Sequence, residues 1–350
     1  MKFNINHNNL LDIINLNFNV YYPLKEFVSK KDFLLITRKC RLVNNEFFPL
    51  PIFINISLNL YNKYKSNKII KAYYKSKKVC NLEIKSFYTL DKKKVGKLIF
   101  QTKDINHPGF KQFLNSGDYF IHCKIKNFNN KIMRNLHFSY PSEIKSKFLK
   151  CKLKTVVGFH TRNVPHRAHE WIHALGLSKC EGLFIHPIIG QYKKNEYKEK
   201  IIIKSNLKLI KEIYKKKNIF FGLFNSYPRY AGPRESLFHA IVRRNYGCTH
   251  FMLGRDHAGV EKYYAKYASQ KLCLKYENDL KIKIISFKEP YLCNICKKIV
   301  NKKCVHSYKV SKKLISGTLI RKLILQNLKI PDTYMRKKIS SLLKQSSIIL

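Results

Sequence analysis

Two histidines three residues apart, His166 and His169, stand in the run Phe159-His160-Thr161-Arg162-Asn163-Val164-Pro165-His166-Arg167-Ala168-His169-Glu170. At that spacing they share one face of a helix. The run follows Thr155-Val156-Val157-Gly158-Phe159, which reads as a buried strand. A helix is expected from about Pro165, because the missing N–H of proline costs nothing in a first turn. The start of a helix offers free N–H groups and the positive end of its dipole, which suits a phosphate. Arg162 adds a forked, permanently charged donor and Asn163 a neutral one. Such a set suits chemistry on a polyphosphate, where fixed donors meet developing charge and no protein nucleophile is needed. In isolation the pair also reads as two solvated histidines on a surface helix. The strand–turn–helix setting favours the phosphate reading.

A second segment begins at Tyr230-Ala231-Gly232-Pro233-Arg234-Glu235. It runs on to Leu253-Gly254-Arg255-Asp256-His257-Ala258-Gly259, again after an apolar run. Ligands of open parallel sheets sit at the carboxyl ends of strands. Two strand ends that carry Arg and His are therefore expected to face one crevice. Asp256 reads as a counter-charge or a ribose contact. Alone, the segment reads equally well as a glycine-bounded turn with a surface ion pair. The third segment is Ile315-Ser316-Gly317-Thr318-Leu319-Ile320-Arg321, with Ser316 as an N-cap and Gly317 permitting a close approach. A plain helix start is the alternative there.

Cys293 and Cys296 form a CxxC pair, followed after seven residues by Cys304 and then His306. Three thiolates and one imidazole make a closed tetrahedral shell for Zn²⁺. Four protein ligands leave no open position, so the expected role is structural. Lys297, Lys298, Lys302 and Lys303 would offset the thiolate charge. Free or buried thiols in a lysine-rich loop are the alternative.

The elements that must position these groups follow from periodicity. From about Phe18 to Lys126 the pattern is mostly strand-like, with Phe53 to Leu58, Lys97 to Phe100 and Tyr119 to Ile125 as examples. That predicts a small, mainly β domain, and Asn127 to Lys150 is a polar stretch leading out of it. Beyond Thr155, strands at Leu183 to Pro187, Ile219 to Leu223 and His250 to Gly254 alternate with helices at Ile203 to Lys217 and Ser236 to Asn245. This is the rhythm of a parallel α/β sheet. Short helices around Pro331 follow Ser311.

The chain has 350 residues and a formal net charge of +48. Lysine is spread over predicted loops and helices alike, which fits coding bias better than a nucleic-acid footprint. Two anionic substrates would still gain from a positive field. The ten cysteines show no disulfide framework and suit a reducing compartment. The N-terminus lacks a signal-peptide core, and no apolar run approaches a membrane span. A soluble, cytoplasmic protein is expected, with no membrane or nucleic-acid partner.

Together these segments resemble the ATP sulfurylase (sulfate adenylyltransferase) family. FHTRNVPHRAHE is similar to the family's QTRNPPHRAHE-type motif, and RYAGPRESLFHAIVRRNYGCTHFMLGRDHAG to its second motif almost end to end. HPIIG at 186–190 and ISGTLIR have counterparts, as more loosely do FFPLPI at 47–52 and HPGFKQFLNSGDYF at 107–120. The resemblance covers about Phe18 to the C-terminus. It implies an α/β protein with a PUA-like β domain over 1–149. A Rossmann-like (HUP) nucleotidyltransferase domain follows over 150–310, with the zinc knuckle near 293–306. A small C-terminal helical or α-β domain closes the chain over 311–350.

The implied reaction is direct in-line attack of a sulfate oxygen on the α-phosphorus of ATP. It yields adenylyl sulfate and pyrophosphate, with Mg²⁺ carried by the nucleotide. The resemblance implies active-site positions at Thr161, Arg162 and Asn163, and transition-state stabilisation by His166 and His169. It places ATP contacts at His160, Arg162, Asn163, Gly254, Arg255, Asp256 and His257. Sulfate contacts fall at His160, Arg162 and the backbone of Ala258. A CxxC…CxH element occurs at this place in some members, and a homo-oligomer is expected.

One residue departs from the pattern. The family's glutamine before Thr-Arg-Asn is His160 here. A histidine donates one hydrogen bond, or two when protonated. The expectation is a retained enzyme whose oxyanion site depends on pH. No P-loop is present, so a fused adenylyl-sulfate kinase is not expected. Another nucleotidyltransferase of the same fold would share the paired histidines but not GRDHAG or RYAGPRE. A nucleic-acid-binding protein is suggested by charge alone and would show steep loss of binding with salt.

Overall fold

The computed structural model describes residues 1–190, 194–215, 218–255, 257–260, 262–301, 304–306 and 312–349, with Asn135 described in its backbone only. Asp256, Lys302 and Lys303 therefore lie outside the described residues. The chain forms two compact units. The first comprises Met1–Ser146, Asn225–Gly247 and Asp256–Ile284, and the second Lys147–Phe224, Cys248–Arg255 and Ile285–Leu350.

In the first unit, β1 (Lys2–Asn4), β2 (Ile54–Ile56), β3 (Ile69–Tyr74), β4 (Lys77–Tyr88) and β5 (Tyr119–Lys126) build a sheet in the order β1-β3-β4-β5-β2. The β3–β4 hairpin turns on Lys75 and Ser76, with φ of 45° and 64°. Two positive φ values match the right-handed twist of the flanking strands. Tyr119 to Ile125, read as a strand, falls in β5.

The rest of this unit corrects the mostly-strand expectation. Helices α1 (His7–Asn17), α2 (Lys30–Lys39), α3 (Leu58–Tyr64), α4 (Lys92–Phe100) and α5 (Pro108–Leu114) lie between the strands. Lys97 to Phe100 belongs to α4 and not to a strand. Asp91 caps that helix by accepting from Lys94 N at 2.9 Å, and Val95 and Ile99 are buried one turn apart. An apolar run of three residues carries too little period to separate the two states, and the cap decides. The polar stretch 127–150 likewise ends in a helix, Pro141–Lys150.

The second unit holds the parallel sheet. Strands β6 (Val156–Thr161), β7 (Gly182–Ile189), β8 (Ile219–Phe221) and β9 (His250–Leu253) run in the order β9-β6-β7-β8. All three neighbouring pairs are parallel, with Val157 opposite both Leu183 and His250. Connecting helices are α6 (Arg167–Leu177) and α7 (Glu199–Glu212). Each expected strand here is present, with both ends within two residues of those expected. Helix α7 begins four residues before the expected start.

Helix α6 begins at Arg167, not Pro165. His166 is extended, with φ −133° and ψ 173°, so it serves as the N-cap and Pro165 lies before the helix. Ala168, Ile172 and Gly176 are buried along one stripe of α6. A Cβ at Gly176 would lie 2.9 Å from Val157 Cγ1 and 3.1 Å from Met252 Sδ, so only glycine lets the helix seat this closely on β6 and β9. Val157, Ile185, Leu209, Met252 and Ile320 share the core of this unit.

Three short strands, β10 (Tyr291–Cys293), β11 (Ile299–Val300) and β12 (Lys312–Lys313), form a separate antiparallel sheet in the order β11-β10-β12. Helices α8 (Gly317–Leu325) and α9 (Lys337–Ser340) complete the unit. Ser316 Oγ accepts from Leu319 N at 3.2 Å, the cap expected of it. Among the described residues, no helix is long and apolar enough to cross a membrane.

Candidate active site

The strand β6 ends in the turn that carries the candidate residues. Thr161 is buried, and its Oγ1 accepts from Asn163 N at 3.0 Å, which folds the chain back toward α6. Val164 is fully buried and anchors the turn in the core. Arg162 is left facing out, with its side chain 55% exposed. His160, half-buried and still within β6, lies in register with the fully buried His186 of β7.

His166 and His169 meet at the head of α6. Their rings stack with centroids 3.8 Å apart and planes 20° from parallel. His173 continues the column at 6.4 Å from His169, and the edge of Phe159 meets both His169 and His173. Burial holds the pKa of His169 down to about 4. It holds those of His166 and His173 well below the ordinary imidazole value, reinforced by the neighbouring rings. All three are therefore neutral at pH 7. The Nδ1 of His173 meets the Tyr214 hydroxyl at 2.7 Å, whereas the buried Nδ1 of His166 has no hydrogen-bond partner among the described residues. The helix head is tied to the C-terminal segment: Arg167 N donates to Tyr334 O at 2.8 Å, and Glu170 pairs with Arg336 at 2.7 Å.

Asn163 is held from the C-terminal side. Arg321 donates from Nη1 to Asn163 Oδ1 at 2.8 Å and contacts Glu196 Oε2 at 3.3 Å. The other carboxylate oxygen of Glu196 lies 3.9 Å from Arg162 Nη1. A Cβ on Gly317 would fall 2.3 Å from Asn163 Oδ1, so the expected close approach is present and its partner is Asn163.

Gly254 and Arg255 follow β9, the parallel neighbour of β6, and so leave the same edge of the sheet as Thr161 and Arg162. Arg255 pairs with Glu289 at 2.6 Å. His257 and Ala258 belong to the first unit. There His257 Nε2 lies 3.0 Å from His239 Nδ1, and burial, then the charge of Arg243, push its pKa down to about 3. Ala258 adopts a left-handed conformation at φ 54°. Asp256 lies outside the described residues.

Cys293, Cys296, Cys304 and His306 converge so that their ligand atoms all lie within 4.8 Å of one another. Cys296 Sγ and Cys304 Sγ are 3.9 Å apart, and His306 Nδ1 is 3.5 Å and 3.4 Å from Cys293 and Cys304. Thiolates at about 2.3 Å from a tetrahedral Zn²⁺ are separated by roughly 3.8 Å, so the spacings fit such an ion. The group could hold a metal ion.

His173, Glu196 and Glu289 are not among the residues expected from the sequence, and Arg321 enters there only as part of a helix start. His173 carried a signal, since it lies one turn beyond His169 on the same face. Glu196 sits in a lysine-rich stretch with no pattern to mark it.

A family model described as ATP-sulfurylase matches residues 137–346, and one described as PUA-like domain matches residues 1–130. The chain is 34% identical over 98% of its length to a sulfate adenylyltransferase of Pyrococcus abyssi, covering 90% of that protein. It is 32% identical to a sulfate adenylyltransferase of Ignicoccus hospitalis, over 94% of this chain and 86% of that one. One from Chloroflexus aurantiacus is 30% identical, over 93% and 85%. Among solved structures, a hexameric APS kinase from Thiobacillus denitrificans superposes with a TM-score of 0.73 at 14% identity. That alignment takes in 97% of this chain and 62% of the other, and speaks for the fold alone.

Proposed function

The chain belongs to the ATP-sulfurylase family, and from that premise we propose that it joins sulfate to the α-phosphate of Mg·ATP, giving adenylyl sulfate and pyrophosphate. The observation that carries the reading is the head of α6. There a stacked, neutral histidine pair, an exposed arginine and an oriented asparagine leave one strand end together.

In this reading the triphosphate lies along the turn 161–163 and the N-terminus of α6. Arg162 is exposed and only loosely held by Glu196, so it is the group that meets an incoming anion. Asn163 offers its amide N–H to a phosphate oxygen. His166 and His169, being neutral, each have one N–H to donate to the oxygens on which charge gathers as the α-phosphorus is attacked. No side chain acts as a nucleophile; sulfate attacks directly and pyrophosphate leaves from the opposite side. Gly254, Arg255, Asp256 and His257 are assigned to ATP, and His160 with the backbone of Ala258 to sulfate. The same donors serve the reverse reaction, because both directions share one transition state.

The metal group is assigned to Zn²⁺ in a structural role, since its four protein ligands close the shell. A homo-oligomer in the cytoplasm completes the reading.

The experiment is sulfate-dependent release of pyrophosphate from Mg·ATP, with molybdate and no acceptor as comparisons. Release that requires sulfate and is lost on Arg162→Ala supports the assignment. Folded, metal-loaded protein that releases pyrophosphate with neither oxyanion overturns it.

A further inference from the structure

We propose that Arg321 is a positioning residue, which fixes the amide of Asn163 with its N–H face turned to the nucleotide. The proposal rests on the reading that Asn163 contacts ATP. An asparagine side chain can present either its oxygen or its nitrogen to a ligand, and the two are nearly the same shape. A guanidinium removes the ambiguity, because it has donors and no acceptor. With Arg321 Nη1 2.8 Å from it, the amide atom of Asn163 on that side must be the oxygen. The nitrogen is left as the outward donor, the polarity a phosphate oxygen requires.

Three features make the arrangement rigid. The Arg321 side chain is only 12% exposed and is also held by Glu196 at 3.3 Å. Arg321 rises from the first turns of α8, whose start is fixed by the Ser316 cap. Gly317 lies flush against the same amide, where any larger residue would collide with Oδ1. Glu196 extends the clamp to Arg162 at 3.9 Å, so one carboxylate spaces two cations and keeps Arg321 on the amide.

The test is a double-mutant cycle in the full chain, with Asn163→Ala, Arg321→Ala and the double variant, read as kcat/KM for Mg·ATP at saturating sulfate. Arg321→Ala is expected to lose roughly 10- to 100-fold, the scale of a misplaced contact. In the Asn163→Ala background the same change is expected to cost less than about threefold, because the residue acts through the amide that is already gone. Arg321→Lys, which retains a donor, is expected to recover part of the loss. Independent, multiplying losses, or an Arg321→Ala enzyme with unchanged kinetics, overturn the positioning role. Unchanged kinetics in Asn163→Ala instead overturn the assignment of Asn163 to ATP. Should Arg321→Ala fail to fold, Arg321→Gln carries the same cycle, with thermal melts confirming the native state.

Discussion

The imidazoles of His166 and His169 stack face to face at 3.8 Å, a contact that two cations could not keep. Burial is what holds both neutral, with His169 down to about 4 and His166 lower than its ordinary value. The sign of the linkage follows. Unfolded histidines take up a proton near pH 6.5, whereas these do not until the pH is far lower. Between about pH 6.5 and 4 the unfolded chain binds more protons, so their contribution to stability is complete above pH 6.5 and is lost as the pH falls toward 4. Urea midpoints at pH 7.5, 6 and 5 should fall more steeply for the native chain than for His169→Gln. Parallel profiles for the two proteins would show that His169 protonates freely in the fold.

Gly317→Ala places a methyl group where Asn163 Oδ1 now lies, 2.3 Å away. Alanine suits the first turn of a helix, so the backbone of α8 should tolerate it. The cost should fall on the amide. We expect activity to drop at least about tenfold, with a melting temperature within a few degrees of the native chain. A fully active Gly317→Ala protein would mean that the turn 161–163 relaxes without consequence.

The strands that frame this site were legible in the sequence because each is a continuous apolar run between turn residues. Val156, Val157 and Phe159 on β6 and Phe251 to Leu253 on β9 are buried, as parallel strands covered on both faces must be. Ser316 and Gly317 were legible too, since a cap and a close approach each demand a particular residue type. Helix α4 was not, because its apolar run is too short to show a period. The start of α6 was misplaced because proline is accepted both in a first turn and just before a cap. Glu196 was illegible for another reason: its partners, Arg162 and Arg321, are far away in the chain and nothing local marks it.

The four metal-site residues predict a bound ion that can be counted. Elemental analysis of protein purified without chelators should find about one zinc per chain. Cys296→Ser should lose that zinc and lower the melting temperature, because ion binding and folding of the β10–β12 sheet are coupled. The turnover number of the zinc-loaded native chain should be insensitive to added zinc. Metal-free protein of unchanged stability would remove the structural role.

His160 stands where related motifs carry glutamine, and its strand position pairs it with His186 across β6 and β7. A glutamine side chain donates through an uncharged amide at every pH. An imidazole gains a second donor and a positive charge when it takes up a proton. With His160 assigned to the oxyanion, His160→Ala, which keeps no donor, should raise the KM for sulfate at saturating Mg·ATP, and His160→Gln, which keeps one, should not. Molybdate should follow the same trend, since it offers the same tetrahedral oxygens and charge. An unchanged KM for sulfate in His160→Ala would place His160 away from the oxyanion.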